Sequence, residues 1–190
     1  MFEADGLRQA LAALGALLAD RKLAYEIVAV GGGGLLLLGI IRRPTEDLDA
    51  VALVEGGEYK LARPMPPPLL EAIEDTAKAL GLASDWLNPG PTDQLEKGLP
   101  AGFRDRTTIH IFGGITVHLA GRFDQICLKL YAAADSAHGS KHVRDLMDLA
   151  PTAAELSDAA AWVKNQDIGA EFPGFVDTVV AHVEASRAAR

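Results

Sequence analysis

Apolar residues recur at helical spacing over residues 5–21, where Leu7, Leu11, Leu14, Leu17 and Leu18 share a face. This spacing predicts an amphipathic helix. The pattern then changes. "YEIVAV" at 25–30 is short and rich in β-branched residues, which predicts a buried strand. Four glycines, Gly31–Gly34, break it, and "LLLLGI" predicts a short buried helix behind them. Pro44 makes the next break, because it forces the preceding residue into extended backbone. "DLDAVALV" at 47–54 alternates as a strand should, with Leu48, Ala50 and Ala52 on one face and Asp47, Asp49 and Val51 on the other.

Gly56, Gly57, Pro64 and the three prolines at 66–68 make 55–68 a loop. A helix follows and ends at Gly81. Residues 84–93 look irregular. "TTIHIF" and "ITVHLA" flank Gly113-Gly114 and predict a β-hairpin. From Arg122 onward four helices are expected: 122–135, 141–150, 152–166 and 174–189. The third opens on a capping-box pattern, Thr152 with Glu155. There is no internal repeat and no low-complexity tract. The order of elements predicts an α+β fold: a core over 1–120 with an antiparallel component, and a C-terminal helical bundle over 121–190 packed on it.

Composition narrows the function. Hydrophobic residues are 49% of the 190, enough for a core, and charged residues are 23%. The formal charge of −8 argues against general nucleic-acid affinity, which phosphate contacts usually supply through basic residues. Any RNA contact would have to be local. One cysteine, Cys127, excludes an internal disulfide and a Cys-cluster zinc site, and it fits a reducing compartment. The longest apolar run, at 31–41, is about half the length of a membrane span. No N-terminal targeting pattern is visible. A cytoplasmic protein without membrane partners is expected.

The unusual feature is Asp47 and Asp49 beside an apolar strand. Side chains at i and i+2 of a strand point the same way, with Cα atoms about 6.5–7 Å apart. Two carboxylates about 5 Å apart repel by about 3 kcal/mol at an effective dielectric near 20. Either the strand face is wet and the charges are solvated, or a hard cation joins them. Mg²⁺ binds in this way, through one or two carboxylates completed by substrate phosphates. A glycine turn and helix start precede the pair and offer backbone N–H groups to an anion. The dinucleotide fingerprint and the P-loop both fail here. Leu36 stands where the third glycine of the first would fall, and no Lys-Ser/Thr follows Gly39 for the second.

Gly32-Gly33, a helix, then Arg43, Thr45, Asp47, Leu48 and Asp49 form a pattern that resembles the nucleotidyltransferase superfamily of the polymerase-β type. The similarity is strongest to its minimal, abortive-infection and toxin–antitoxin (AbiEii-like) branch. Lys129-Leu130 followed by Arg144-Asp145 and Asp148-Leu149 resembles that branch's second motif, and "DWLN" at 85–88 resembles a segment of its uncharacterised members. The resemblance spans residues 25–150. It implies a nucleotidyltransferase-like mixed β-sheet flanked by helices. It implies phosphate binding at Gly32 and Gly33 and Mg²⁺ on Asp47 and Asp49. Lys129 would contact the triphosphate, and Asp145 would be an acidic residue at the site.

Plainer readings stand beside these. Lys129 could be a snorkelling surface lysine, and Asp145 a solvated helix residue. Arg43 either meets phosphate or caps its loop. Thr45, counted with the nucleotide-binding residues, could also bond the turn before the strand. The superfamily's third carboxylate, the base on the acceptor hydroxyl, has no counterpart on the hairpin strands. They carry His110 and His118, which either take a proton or simply pack. Cys127 reads as an inert buried thiol, and Trp86 and Trp162 as core or interface residues. The histidines show no zinc spacing, since His138 and His142 straddle a Gly-Ser.

The expected activity is Mg²⁺-dependent transfer of an NMP from an NTP to an acceptor hydroxyl on tRNA or protein. A toxin role, with an antitoxin partner, would follow from the resemblance. The alternative is a catalytically weak or inactive nucleotide-binding module that acts as a sensor or partner subunit.

Overall fold

Val28, Ala29 and Ile27 at the centre of strand β1 (Tyr25–Val30) have no exposed surface. A strand buried on both faces must sit inside a sheet. A computed structural model describes residues 1–135 and 141–188 and shows that sheet; His138 lies outside the described residues. The architecture is mixed α+β. Among the described residues there are eight α-helices and a six-stranded mixed sheet. The chain divides into two compact units, one of Met1–Leu99 with Arg104–Ala120, the other of Pro100–Phe103 with the described part of 121–190. Among the described residues, no helix is long and apolar enough to cross a membrane.

In the first unit the sheet runs in the order β3-β2-β1-β6-β5. Strand β2 (Leu48–Glu55) pairs antiparallel with β1 and with β3 (Glu58–Leu61). Strand β6 (Ile115–Leu119) lies parallel to β1 and antiparallel to β5 (Thr108–Phe112). The two-residue strand β4 (Leu87–Asn88) pairs parallel with Leu48 and Asp49 of β2. The hairpin at 108–119 forms as the Gly113-Gly114 signal predicts. A second hairpin, β2–β3, turns at Gly56 and Gly57 (φ 57° and 81°), inside what the sequence predicts to be loop. Two successive positive-φ residues are what a type I′ hairpin turn requires.

Helix α1 (Ala4–Asp20) has no side-chain N-cap. Its hold on the unit comes from Leu7, Leu11, Leu14 and Leu18, all fully buried, each worth about 1.5–3 kcal/mol of burial. Helix α2 (Gly31–Leu37) starts on the glycines themselves, so the run predicted to be a turn is the helix's first turn. Helix α3 (Pro67–Leu80) ends at a left-handed Gly81. A short helix, α4 (Asp93–Lys97), follows Gly90–Thr92.

In the second unit, helix α5 (Arg122–Asp135) touches each of α6 (Lys141–Leu149), α7 (Ala153–Val163) and α8 (Phe172–Ala188). Arg122 joins three elements. Its guanidinium donates to Leu149 O at 2.7 Å and Ala150 O at 2.9 Å, at the end of α6, and pairs with Glu155 in the first turn of α7. Glu155 is also the return arm of the expected capping box with Thr152. The Thr152 N–H, and then Arg122, hold the Glu155 carboxyl below its ordinary range.

Candidate functional site

The ladder between β1 and β2 ends with Val30 opposite Asp49, and β4 then places Asn88 on the other side of Asp49. Asp49 is thus flanked on both sides at the mouth of the sheet, where β1 turns into α2. Asp47 sits one residue before β2 begins. Both aspartates are half-buried, between the fully buried Leu48 and open solvent. Val51 is buried too, although alternation grouped it with the aspartates. The β1–β2 register shifts between Val28 and Ala29, so Ala29 pairs with Ala50, Val28 pairs with Ala52, and Val51 has no partner in the ladder. The bulge breaks the two-residue period.

The glycine run lies directly against the Asp49 carboxylate and the Asp47 backbone. A Cβ on Gly31 (φ +73°) would stand 2.5 Å from Asp49 Oδ2. A Cβ on Gly32 would stand 2.9 Å from Thr45 Oγ1 and 3.7 Å from Arg43 Nη2. On Gly33 it would meet the Asp47 carbonyl oxygen at 2.6 Å. Only glycine lets backbone and carboxylate approach this closely, and at Gly31 the positive φ adds a second reason. Gly32, Gly33, Arg43, Thr45, Asp47 and Asp49 therefore form one cluster in the first unit.

Thr45 is buried, and its hydroxyl donates to the Asp47 carbonyl at 3.3 Å, as a turn-forming threonine would. Arg43 donates to the Pro44 carbonyl at 3.4 Å and lies over the glycine run. Asn88 also reaches the cluster, and Arg63 holds the turn that follows it. The Asn88 side-chain amide donates to Asp47 Oδ2 at 3.4 Å. Arg63 donates to the carbonyls of Pro89 at 3.3 Å and Gly90 at 3.5 Å, just beyond β4. The "DWLN" segment is the only sequence signal that touches Asn88. A two-residue strand has no periodicity to read, and Arg63 sits in an apparent loop.

The hairpin histidines are both engaged. His118 Nε2 lies 2.8 Å from Glu26 Oε2 on the neighbouring strand. His110 Nδ1 lies 3.5 Å from Arg8 Nη1. Burial, then the charge of Arg8, holds the His110 pKa below its ordinary value. Trp86 is core: it is fully buried and donates to the Ile73 carbonyl at 3.2 Å. Trp162 is half-buried.

Lys129 and Asp145 belong to the second unit. Lys129 Nζ lies 2.7 Å from Asp145 Oδ2, with side-chain exposures of 7% and 0%. Neither a surface lysine nor a solvated aspartate is observed; the two form a buried ion pair between α5 and α6. Asp148 and Arg144 are exposed, and Cys127 is buried. The second unit also holds a mainly apolar cavity of about 840 Å³, lined among others by Val143, Phe172, Phe175 and Val179. It contains none of the residues singled out by the sequence.

Among the described residues no group of three or more His, Cys, Asp or Glu side chains could hold a metal ion. The donor set is instead two half-exposed carboxylates. Asp47 meets an amide and, among the described residues, no cationic side chain. Such a pair fits a hard divalent ion that keeps most of its ligands as water or phosphate oxygens. No protein-family model matches the chain, and no curated protein and no solved structure matches it.

Proposed function

We propose that the first unit carries a nucleotidyltransferase site of the polymerase-β type, in its minimal toxin-like form, on a nucleotidyltransferase-like sheet followed by a C-terminal helical bundle. The observation that carries this reading is the contact between the two ends of the first motif. The glycine run meets the Asp47/Asp49 pair so closely that a Cβ at Gly31 would overlap Asp49.

In this reading Asp47 and Asp49 hold Mg²⁺, which supplies charge neutralisation on the triphosphate of an NTP. The glycine run that opens α2 lies against the same cluster, and this reading places the phosphate oxygens at its backbone. Arg43 adds a cation over the glycine run. The acceptor hydroxyl oxygen bonds to the α-phosphorus, the bond from that phosphorus to the bridging oxygen breaks, and pyrophosphate leaves. The hydroxyl proton passes to solvent. The acceptor is tRNA or a protein side chain, and a toxin role with an antitoxin partner in the cytoplasm follows from the same resemblance. The resemblance also gives Lys129 and Asp145 a part. They form a buried ion pair in the second unit, so the reading rests on the residues of the first.

A second reading is favoured by the hairpin. Strands β5 and β6 contain no carboxylate, and their histidines are already held by Glu26 and Arg8. A nucleotide-binding module without transfer activity, working as a sensor or partner subunit, fits that arrangement. Incubation with each α-³²P-labelled NTP, Mg²⁺ and either tRNA or total protein separates the two. Label transfer that Asp49→Asn abolishes supports the enzyme. Nucleotide binding without transfer supports the module, and neither transfer nor binding sinks both.

A further inference from the structure

Asn88 brings a neutral amide to the Asp47 carboxylate, and its orientation is fixed from both ends. Its Oδ1 accepts the Gly90 N–H at 2.8 Å, which commits the oxygen to the turn. Its Nδ2 therefore faces the other way, where it donates to the Asp85 carbonyl at 3.3 Å and to Asp47 Oδ2 at 3.4 Å. The backbone cannot slide, because Leu87 and Asn88 pair with Leu48 and Asp49, and the Leu48 N–H donates to the Trp86 carbonyl at 2.7 Å. A Cβ on Gly90 would stand 2.8 Å from Asn88 Oδ1 and 3.7 Å from Asp49 Oδ1, so the turn also abuts the second carboxylate.

From this geometry we infer that Asn88 is a positioning residue: it turns the Asp47 carboxylate by engaging Oδ2 and leaves Oδ1 for a divalent cation shared with Asp49. Asp47 Oδ1 has no protein partner among the described residues. An amide suits this place better than a carboxylate or an ammonium. It donates a hydrogen bond without adding a third negative charge and without setting a cation against Asp47. This inference rests on the cation reading of the Asp47/Asp49 pair.

The test is Mn²⁺ binding to the full chain, followed by the electron paramagnetic resonance signal of free Mn²⁺, for wild type, Asp49→Asn, Asn88→Ala and Asn88→Ser. Wild type should bind, and Asp49→Asn should not. Asn88→Ala should bind about 10–100-fold more weakly, as expected for loss of a group that orients a ligand. Asn88→Ser, which keeps a hydroxyl donor, should fall between them. A purely structural role is separated by Asn88→Asp. In EDTA this variant should melt below wild type, because a third carboxylate meets Asp47, and Mn²⁺ should raise its Tm by more than it raises that of wild type. If Asn88→Ala holds Mn²⁺ within twofold of wild type while Asp49→Asn loses it, the role of Asn88 is overturned and the cation reading stands. If wild type binds no Mn²⁺ at millimolar concentration, the cation reading fails and takes this inference with it.

Discussion

The two units handle ionised side chains in opposite ways. In the second, Lys129 and Asp145 are opposite charges taken almost wholly out of water and held 2.7 Å apart. In the first, Asp47 and Asp49 are like charges left half-exposed, with a neutral amide of the short strand β4 donating to one of them. Burial forces pairing, because an unpaired buried charge costs several kcal/mol. Partial exposure relaxes that demand at Asp47 and Asp49. The Lys129–Asp145 pair is closed within the second unit, while the aspartates of the first stay in reach of solvent.

The sharpest way to break this contrast is to remove one partner of the buried pair. Lys129→Met should cost about 3–5 kcal/mol, since it removes the counter-charge from the buried Asp145. The double variant Lys129→Met/Asp145→Leu should recover most of that loss. Urea unfolding of both proteins checks it, and a single variant that loses less than about 1 kcal/mol would remove the contrast.

Next in size is the backbone wall behind the aspartates. Gly33→Ala would press a methyl group against the Asp47 carbonyl and should cost about 1–3 kcal/mol of overpacking. Asp47→Asn and Asp49→Asn should change the stability of the unliganded protein by less than about 1 kcal/mol, because solvent screens half-exposed charges.

His110 lies between these extremes. Burial and Arg8 hold its pKa below the ordinary imidazole value, so the unfolded chain binds a proton there more readily than the folded one. Stability is then complete above the ordinary imidazole range and falls as pH drops through it. His110→Gln should flatten that slope in unfolding measurements between about pH 5 and 8.

What the sequence made legible was the periodic part. Strand β1 at Tyr25–Val30, the hairpin around Gly113-Gly114, the stop of α3 at Gly81 and the capping box at Thr152 and Glu155 each have a local chemical cause. Strand β3 escaped although Gly56-Gly57 is the same dipeptide. Its alternation, Tyr59 and Leu61 against Glu58 and Lys60, lasts four residues, and those residues are almost all exposed beside a proline-rich stretch. Strand β4 is two residues long and exists because β2 leaves its outer edge open at Leu48 and Asp49.

In the site, the spacing of the aspartates was visible, and so was their nearness to a glycine run. The closeness of that contact, the arrival of Asn88 and Arg63, and the pairing of Lys129 with Asp145 are tertiary facts. Nothing in the local sequence around position 129 distinguishes a buried paired lysine from a snorkelling one.

The central claim is that the half-exposed carboxylates and the glycine run form a site for a metal–nucleotide complex. Isothermal titration of the full chain with each NTP, with Mg²⁺ or with EDTA, on wild type and Asp49→Asn, tests it most directly. The account predicts binding of at least one NTP by wild type only when Mg²⁺ is present, and none by Asp49→Asn. Binding that is indifferent to Mg²⁺ and to Asp49, or no binding of any NTP, would contradict it.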